Sequence, residues 1–174
     1  MHERQGDLLQ LALVGEFDVI VHGCNCFGEM GKGIALAVKQ QFPEAYQADL
    51  ATAKGDRAKL GTFSSALVQR GTVSFMVVNA YTQFDWRGRG VKVDYAAIGS
   101  VFAQIQRQFT GQRIGYPLIG AGLAGGDWAV IAPIIDQALV GERHTLVRFG
   151  CGVIRAAFVA SIHLQSAKQT GCPF

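Results

Sequence analysis

Hydrophobic residues along this chain form two alternating patterns, short continuous runs and helical stripes. Short runs rich in β-branched residues predict strands over 18–22, 62–69, 73–79, 113–118 and 144–149. Apolar residues spaced three or four apart predict helices over 34–42, 44–53, 94–109 and 128–140, with a short helix or turn over 8–14. Residues 1–5 are predicted to form no more than an edge strand, and 81–91 a loop.

Strands and helices alternate along the chain, and this order predicts a three-layer α/β/α fold. The run at 18–22 is apolar almost throughout, which is typical of a parallel strand covered on both faces. A glycine-rich loop follows this strand, and a second one follows the strand over 113–118. Because open α/β sheets bind ligands at the carboxyl ends of their strands, both loops are candidate ligand loops.

The first glycine-rich loop carries Gly28, Gly31 and Gly33 and leads into the helix over 34–42. Free backbone N–H groups and the positive end of the helix dipole meet at such a junction, and glycines let a ligand approach the backbone closely. This arrangement predicts an anion site, most often for phosphate. The spacing matches neither G-x-x-x-x-G-K-[ST] nor G-x-G-x-x-G, so neither common phosphate fingerprint is present.

The length and composition indicate a single well-packed domain. The 174 residues suffice for a single domain, and 49% hydrophobic against 17% charged residues excludes general disorder. The net charge of +3 suits a small anionic ligand but is too small for a nucleic-acid-binding face. Among the basic residues only Arg87, Arg89 and Lys92 cluster, and a solvated loop explains them better than a binding role does.

Four cysteines are present, Cys24, Cys26, Cys151 and Cys172, and they lack the paired spacing of a structural zinc site. Neither a signal peptide nor an apolar run of about 18 residues is visible, which favours a cytoplasmic protein with reduced thiols. We expect neither a metal ion nor a cofactor.

Three segments of the sequence resemble macro domains: GDL at 6–8, HGCNC at 22–26 followed by MGKGIA at 30–35, and PLIGAGLAGGDW at 117–128. The likeness is greatest to the branch that contains yeast-type ADP-ribose 1''-phosphate phosphatases and terminal ADP-ribose protein glycohydrolases. It implies a macro domain over 1–149 with a mixed, largely parallel central sheet. Residues 150–174 remain as a C-terminal tail of unknown role, in which 153–164 could form an amphipathic helix.

The resemblance also implies how ADP-ribose would be bound. Asp7 and Leu8 correspond to the adenine side, although Asp7 alone would be explained as a helix N-cap. Asn25 corresponds to a polar side chain against the distal ribose, and a turn-capping role is the equally weighted alternative. The diphosphate and distal ribose would contact both glycine loops, through Gly31, Lys32, Gly33 and Ile34 in the first and Ile119, Gly120, Ala121, Gly122 and Leu123 in the second.

His22 is the sharpest catalytic candidate, with Asn25 near it. It ends the predicted central strand, and imidazole titrates near neutral pH, as a general acid or base must. His22 would activate water or protonate the leaving group at the anomeric carbon; a histidine hydrogen-bonded within the fold is the alternative. Asp127 is better explained as an N-cap of the last helix than as a catalytic group.

Two departures from the resemblance bear on the reaction. The lysine of the terminal ADP-ribose glycohydrolases would fall within 80–83, where this chain has none, and their aspartate corresponds to Ala124. Hydrolysis of ADP-ribose 1''-phosphate to ADP-ribose and phosphate is therefore favoured. The alternatives are an ADP-ribosyl hydrolase acting on modified protein or nucleic acid, the latter through Arg87 and Arg89, and a non-catalytic reader of ADP-ribose. No membrane partner is expected.

Overall fold

The computed structural model describes residues 1–150, and the candidate helix over 153–164 lies outside these described residues. A 3₁₀ turn spans Arg57–Lys59. The strands are β1 (His2–Gln5), β2 (Val19–Asn25), β3 (Phe63–Arg70), β4 (Val73–Gln83), β5 (Arg113–Tyr116) and β6 (Arg143–Arg148). The helices are α1 (Leu8–Leu13), α2 (Gly33–Gln41), α3 (Pro43–Leu50), α4 (Tyr95–Gln108) and α5 (Trp128–Ala138).

The strands form one six-stranded sheet in the order β1-β6-β5-β2-β4-β3. Four of the five neighbouring pairs are parallel, and only β3 runs antiparallel, to β4. The predicted mixed, largely parallel sheet is therefore confirmed. Five strands consequently end at the same edge of the sheet, where ligands bind in open α/β folds.

Helices cover both faces of the sheet, as the alternating order of elements predicts. Successive strand residues point to opposite faces, and the buried residues of β2 accordingly divide between two cores. Val19 and Val21 pack in the core beneath α4 and α5. Ile20 packs in the core beneath α1, α2 and α3. The three-layer α/β/α arrangement is confirmed.

Two strands extend beyond their predicted ends. β2 continues to Asn25 and β4 to Gln83, because residues 23–25 pair in parallel with residues 80–83. The predicted loop over 81–91 therefore begins only after Gln83. The extension brings Gly23 and Asn25, rather than His22, to the ligand edge. Of the helices within residues 1–150, none has the length and apolar character needed to cross a membrane.

Candidate functional site

A cleft of about 870 Å³ runs along the edge where the parallel strands end. Its wall includes residues at or next to the ends of all five parallel strands, from Gln5 on β1 at one end to Gln83 on β4 at the other. The two glycine loops border its middle, where β2 and β5 lie side by side. The position of the cleft matches the expectation from the strand order.

The first loop brings Gly31, Lys32, Gly33 and Ile34 into the cleft wall. Lys32 occupies the N-cap position of α2 but makes no side-chain capping bond. Within residues 1–150 no backbone carbonyl accepts a hydrogen bond from the N–H groups of residues 31–34. Gly33 has φ +58°, a conformation that favours glycine. The loop therefore presents several free N–H donors beside the positive end of a helix.

The second loop lies opposite and is also short of hydrogen-bond partners. Among residues 1–150 no backbone acceptor is present for the N–H groups of Gly120, Gly122 and Leu123. The turn is tight: Gly126 N–H donates to Gly120 O at 2.9 Å. A Cβ on Gly126 would lie 2.5 Å from Val93 Cγ1, so glycine is required there by space. The free N–H groups of the second loop consequently point in a fixed direction.

The two loops approach each other above the cleft. Leu123 is 77% exposed, and its Cδ1 lies 3.3 Å from the place where a Cβ on Gly33 would be. An anion held between the loops would thus receive N–H donors from both sides. Of the residues predicted in the second loop, Ile119, Gly120, Gly122 and Leu123 line the cleft, whereas Ala121 packs against the core instead.

Asn25 lines the cleft, but its amide is engaged in ordering the first loop. Its Oδ1 accepts from Phe27 N at 2.9 Å and from Glu29 N at 3.3 Å. Its Nδ2 donates to Glu29 O at 2.8 Å. Both alternatives weighed for this residue are therefore compatible with its position, because one Nδ2 proton remains for a ligand.

His22 does not reach the cleft. The histidine lies on the same face of β2 as Ile20, two residues earlier, and is only 2% exposed. Gly23, on the opposite face, lines the cleft in its place. The prediction of a catalytic His22 placed this residue at the end of the strand, but β2 continues to Asn25, so His22 lies within the sheet and not at its edge. The geometry supports the alternative, a histidine bonded within the fold.

The bonding of His22 fixes its chemical state. Asn79 Nδ2 donates to Ala45 O at 2.8 Å and to Ser64 Oγ at 3.0 Å, which leaves Asn79 Oδ1 as the acceptor. His22 Nε2 therefore carries a proton and donates it to Asn79 Oδ1 at 2.8 Å. Burial lowers the pKa of His22 to about 4. The imidazole is neutral near pH 7.

The β1 end of the cleft contains residues that the sequence reasoning missed. Asp7 and Leu8, assigned to the adenine side, do not line it: Asp7 caps α1 by accepting from Leu9 N at 2.9 Å, and Leu8 is buried in the core. Gln5, Val147, Arg148 and Phe149 form this end of the wall. The sequence carries only a weak signal for this end of the cleft: β1 ends at the polar Gln5, and the aromatic Phe149 directly follows β6.

The β4 end of the cleft was also missed. Thr82, Gln83, Trp86 and Glu29 line it. Glu29 is the only carboxylate among the cleft-lining residues of 1–150, and it pairs with Lys54 at 3.4 Å on the surface. At this end of the cleft Glu29 is therefore the carboxylate that could act as an acid or a base on a ligand.

Cys24, Cys26 and Asp127 do not line the cleft. Burial raises the pKa of the Cys24 and Cys26 thiols, so both remain protonated near pH 7. Asp127 caps α5 by accepting from Ala129 N at 2.8 Å, as predicted. Residues 1–150 contain no cluster of three or more His, Cys, Asp and Glu side chains suited to holding a metal ion.

Comparison with known proteins assigns the sequence to one family. The sequence model of the Macro domain family matches residues 21–135. A 17.5 kDa protein from the tk-vs intergenic region of Enterobacteria phage T4 is 35% identical over 137 residues, 76% of this chain and 85% of that protein.

Two relatives with named activities are matched over less of their length. DNA ADP-ribosyl glycohydrolase of Mycobacterium tuberculosis is 29% identical over 126 residues, 71% of this chain and 34% of that protein. ADP-ribose 1''-phosphate phosphatase of Ajellomyces capsulatus is 44% identical over 45 residues, 26% of this chain and 16% of that protein. The chain thus spans about a third of the glycohydrolase and about a sixth of the phosphatase.

Solved structures share the fold. The macrodomain of Mycobacterium tuberculosis DarG has a TM-score of 0.65 at 22% identity and covers 86% of this chain and 97% of that one. Thermosipho africanus DarTG in complex with ADP-ribose has a TM-score of 0.65 at 19% identity and covers 85% of this chain and 42% of that one. At these identities the likeness concerns the fold alone.

Proposed function

This chain belongs to the macro domain family, and from that premise we propose that its cleft binds ADP-ribose with the diphosphate between the two glycine loops. The observation that carries the proposal is the pair of facing loops with free N–H donors, on residues 31–34 and on Gly120, Gly122 and Leu123. Such donors suit phosphate oxygens. The volume of about 870 Å³ is within the usual range for a small-molecule cleft.

We place the adenine at the β1 end and the distal ribose at the β4 end. Phe149 is exposed at the β1 end and offers an aromatic face to a base. Asn25, Thr82 and Gln83 at the β4 end offer amide and hydroxyl groups that can both donate to and accept from ribose hydroxyls. Asp7 and Leu8 contribute by starting α1 beside the β1 end.

The reaction that we assign to this site is hydrolysis at C1'' of the distal ribose, with ADP-ribose 1''-phosphate as substrate and ADP-ribose and phosphate as products. The likeness of 45 residues to an ADP-ribose 1''-phosphate phosphatase supports this choice. Because His22 is buried, it does not serve as the acid or base. Glu29 is the carboxylate available at the distal-ribose end, and we assign the activation of water to it.

A second candidate is the removal of ADP-ribose from nucleic acid. The DNA ADP-ribosyl glycohydrolase of Mycobacterium tuberculosis matches 71% of this chain, against 26% for the phosphatase. The β4 end of the cleft also opens to solvent at Trp86, which is 42% exposed, so a large group on C1'' has room. Gln83 stands near the place where such enzymes carry a lysine, so this reaction would use a different attacking group.

The test combines calorimetric titration of ADP-ribose with phosphate release from ADP-ribose 1''-phosphate. We expect the parent protein to bind ADP-ribose and release phosphate. Glu29→Gln should lower kcat about a hundredfold, since positioned general acid–base groups contribute about that much. The matched control is Glu16→Gln, which removes a carboxylate paired with Arg4 outside the cleft and should keep the parent activity.

Each part of the proposal has its own contrary result. Failure of ADP-ribose to bind would refute the assignment of the cleft. Binding without phosphate release would exclude the phosphatase reaction and leave the hydrolysis of a conjugate or a non-catalytic reader. Equal kcat values for the parent and Glu29→Gln would remove Glu29 from the mechanism.

A further inference from the structure

A second depression lies at the opposite edge of the sheet, where the parallel strands begin. Its volume is about 210 Å³. Arg113 begins β5, Arg143 begins β6 and Arg4 lies on β1, and all three line the depression together with Glu16 and Thr145. We call this depression the arginine pocket. Its lining has three guanidinium groups and one carboxylate, so it is a candidate site for an anion.

The register of the sheet brings the basic side chains of the arginine pocket together. Arg113 pairs with Arg143 across β5 and β6, and residues two positions apart on a strand share a face. Thr145 is therefore on the same face as Arg143, and so is His2, which pairs with Thr145 from β1. Like charges on directly paired residues of neighbouring strands repel each other. An anion between Arg113 and Arg143 would relieve this repulsion.

One wall of the arginine pocket is apolar and closely packed. Phe17 forms this wall and is only 5% exposed. Its ring lies against the backbone of β5, since a Cβ on Gly115 would be 2.8 Å from the Phe17 ring. Such a wall excludes water from one side of the pocket, and electrostatic attraction is stronger where water is excluded. The arginines thus surround a concave site with one dry wall.

The three guanidinium groups differ in how far their charge is compensated. Arg113 donates to Asp18 at 2.6 Å, and Arg4 donates to Glu16 at 2.9 Å. Arg143 instead donates to a backbone carbonyl oxygen at 2.6 Å. Among residues 1–150 no carboxylate lies within 4.0 Å of Arg143. Because a guanidinium group has five N–H donors, Arg143 keeps both its charge and several donors for an anion.

We propose that the arginine pocket binds a phosphate group, with Arg143 as its main ligand. A guanidinium group forms two parallel, charge-assisted hydrogen bonds with phosphate oxygens. Thr145 offers a hydroxyl donor in the same pocket. The volume of about 210 Å³ is below the usual range for clefts that bind drug-sized molecules, which suits a single phosphate group and not a nucleotide.

The arginine pocket and the ADP-ribose cleft lie at opposite edges of the sheet, so the phosphate site is independent of the proposed function. A free phosphate ion and a phosphate monoester carry the same tetrahedral group of charged oxygens. Both are therefore occupants of the same chemistry, and the experiment distinguishes them.

The test is a titration of isotopically labelled protein with sodium phosphate, followed by NMR at constant pH and ionic strength. The side-chain Nε–H signals of Arg113 and Arg143 and the backbone N–H signal of Thr145 report on the pocket. We expect their shifts to saturate together with a Kd of about 1 mM, the value for two charge-assisted hydrogen bonds. The absence of a saturable shift would overturn the proposal.

Substitution of Arg143 tests its role as the main ligand. Arg143→Gln, followed through the signals of Arg113 and Thr145, should raise the Kd for phosphate about tenfold, because it removes the charge and the charge-assisted bonds. Arg143→Lys keeps the charge but not the planar fork, so its Kd should lie between those of the parent and Arg143→Gln. An unchanged Kd in both variants would overturn the proposal. The dispersion of the spectra shows whether each variant is folded.

Arg107→Gln is the matched control for the loss of a positive charge. Arg107 is exposed on α4, which packs against the other face of the sheet, and its loss should leave the Kd at the parent value. Equal increases in Kd for Arg143→Gln and Arg107→Gln would show only non-specific attraction and overturn the proposal. Saturation of the same signals by acetate with an equal Kd would overturn the assignment to phosphate.

Two further titrations identify the source of the phosphate group and separate the pocket from the cleft. Binding of glycerol phosphate as tight as that of phosphate would show that the group can belong to a larger molecule, whereas binding of phosphate alone would assign the pocket to the free ion. With saturating ADP-ribose, phosphate should still shift the Arg143 signal but no longer those of residues 31–34. If ADP-ribose itself failed to bind, the proposed function would fall, and the Arg143 signal would still decide the phosphate site.

Discussion

Replacement of His22 by glutamine separates a buried histidine from a catalytic one. Glutamine places its Nε2 close to the position of histidine Nε2, so it can still donate to Asn79 Oδ1, but it does not titrate. In the parent protein burial lowers the pKa of His22 to about 4, while the unfolded chain has an ordinary value of 6.5. Below pH 6.5 the unfolded state therefore binds a proton that the folded state does not.

The sign of the effect follows from this difference in bound protons. Stability from His22 is complete above pH 6.5 and is lost as the pH falls toward about 4, below which both states are protonated. Between pH 7.5 and pH 4.5 the loss amounts to about 2–3 kcal/mol for pKa values of 6.5 and about 4. His144, whose pKa is also lowered by burial, adds a loss in the same direction, but it is present in both proteins.

Urea denaturation of the parent and His22→Gln at the two pH values measures the effect. We expect the free energy of unfolding of the parent to fall by about 2–3 kcal/mol more than that of His22→Gln between pH 7.5 and pH 4.5. The variant should also keep phosphate release within twofold of the parent near pH 7. Identical pH dependences of unfolding would refute the buried neutral histidine, and a large loss of kcat in a folded His22→Gln would restore its catalytic role.

Two further substitutions test the first glycine loop. Gly33→Ala should raise the Kd for ADP-ribose about tenfold, since alanine at φ +58° carries a strain of about 1–2 kcal/mol and its Cβ would crowd Leu123. The control is Gly71→Ala in the β3–β4 turn, where φ is +59° and no atom lies within 4 Å of the place that a Cβ would occupy. This variant should lose stability without losing affinity for ADP-ribose. Equal changes in Kd in the two variants would contradict the assignment of the loop. Asn25→Ala should speed amide hydrogen exchange of Phe27 and Glu29 at least tenfold and weaken ADP-ribose binding; unchanged exchange would show that the Asn25 bonds do not order the loop.

The fold was predictable because its signals are local. Glycine, proline and helical spacing mark the ends of α2, α4 and α5, and alternating elements give the three layers. The end of β2 was not predictable in this way. Gly23, Cys24 and Asn25 have the composition of a loop, and they remain in the strand because residues 80–83 pair with them from a distant part of the chain. The prediction for His22 placed this residue at the end of the strand, whereas β2 continues for three more residues.

The candidate site was predictable in its middle but not at its ends. Glycines at 31, 33, 120 and 122 give a local signal for loops that approach a ligand, and the structure places them in the cleft wall. Phe149 and Gln5 meet there only because β1 pairs with β6 at the far side of the sheet, and this pairing joins the two ends of the described chain. Trp86 likewise lies on a loop whose direction depends on the length of β4.

His22 belongs to a chain of buried polar side chains under the cleft. From His22 it passes through Asn79 and Ser64 to Tyr81 Oη, which donates to Asp49 Oδ1 at 2.8 Å. These residues belong to β2, β4, β3 and α3, so the chain ties three strands to the helix that packs beneath them. A buried network of this kind stabilises one arrangement, because any shift leaves a polar group without a partner. Since the ends of β2 and β4 line the cleft, the hydrogen bond between His22 and Asn79 links two strands on which the shape of the cleft depends.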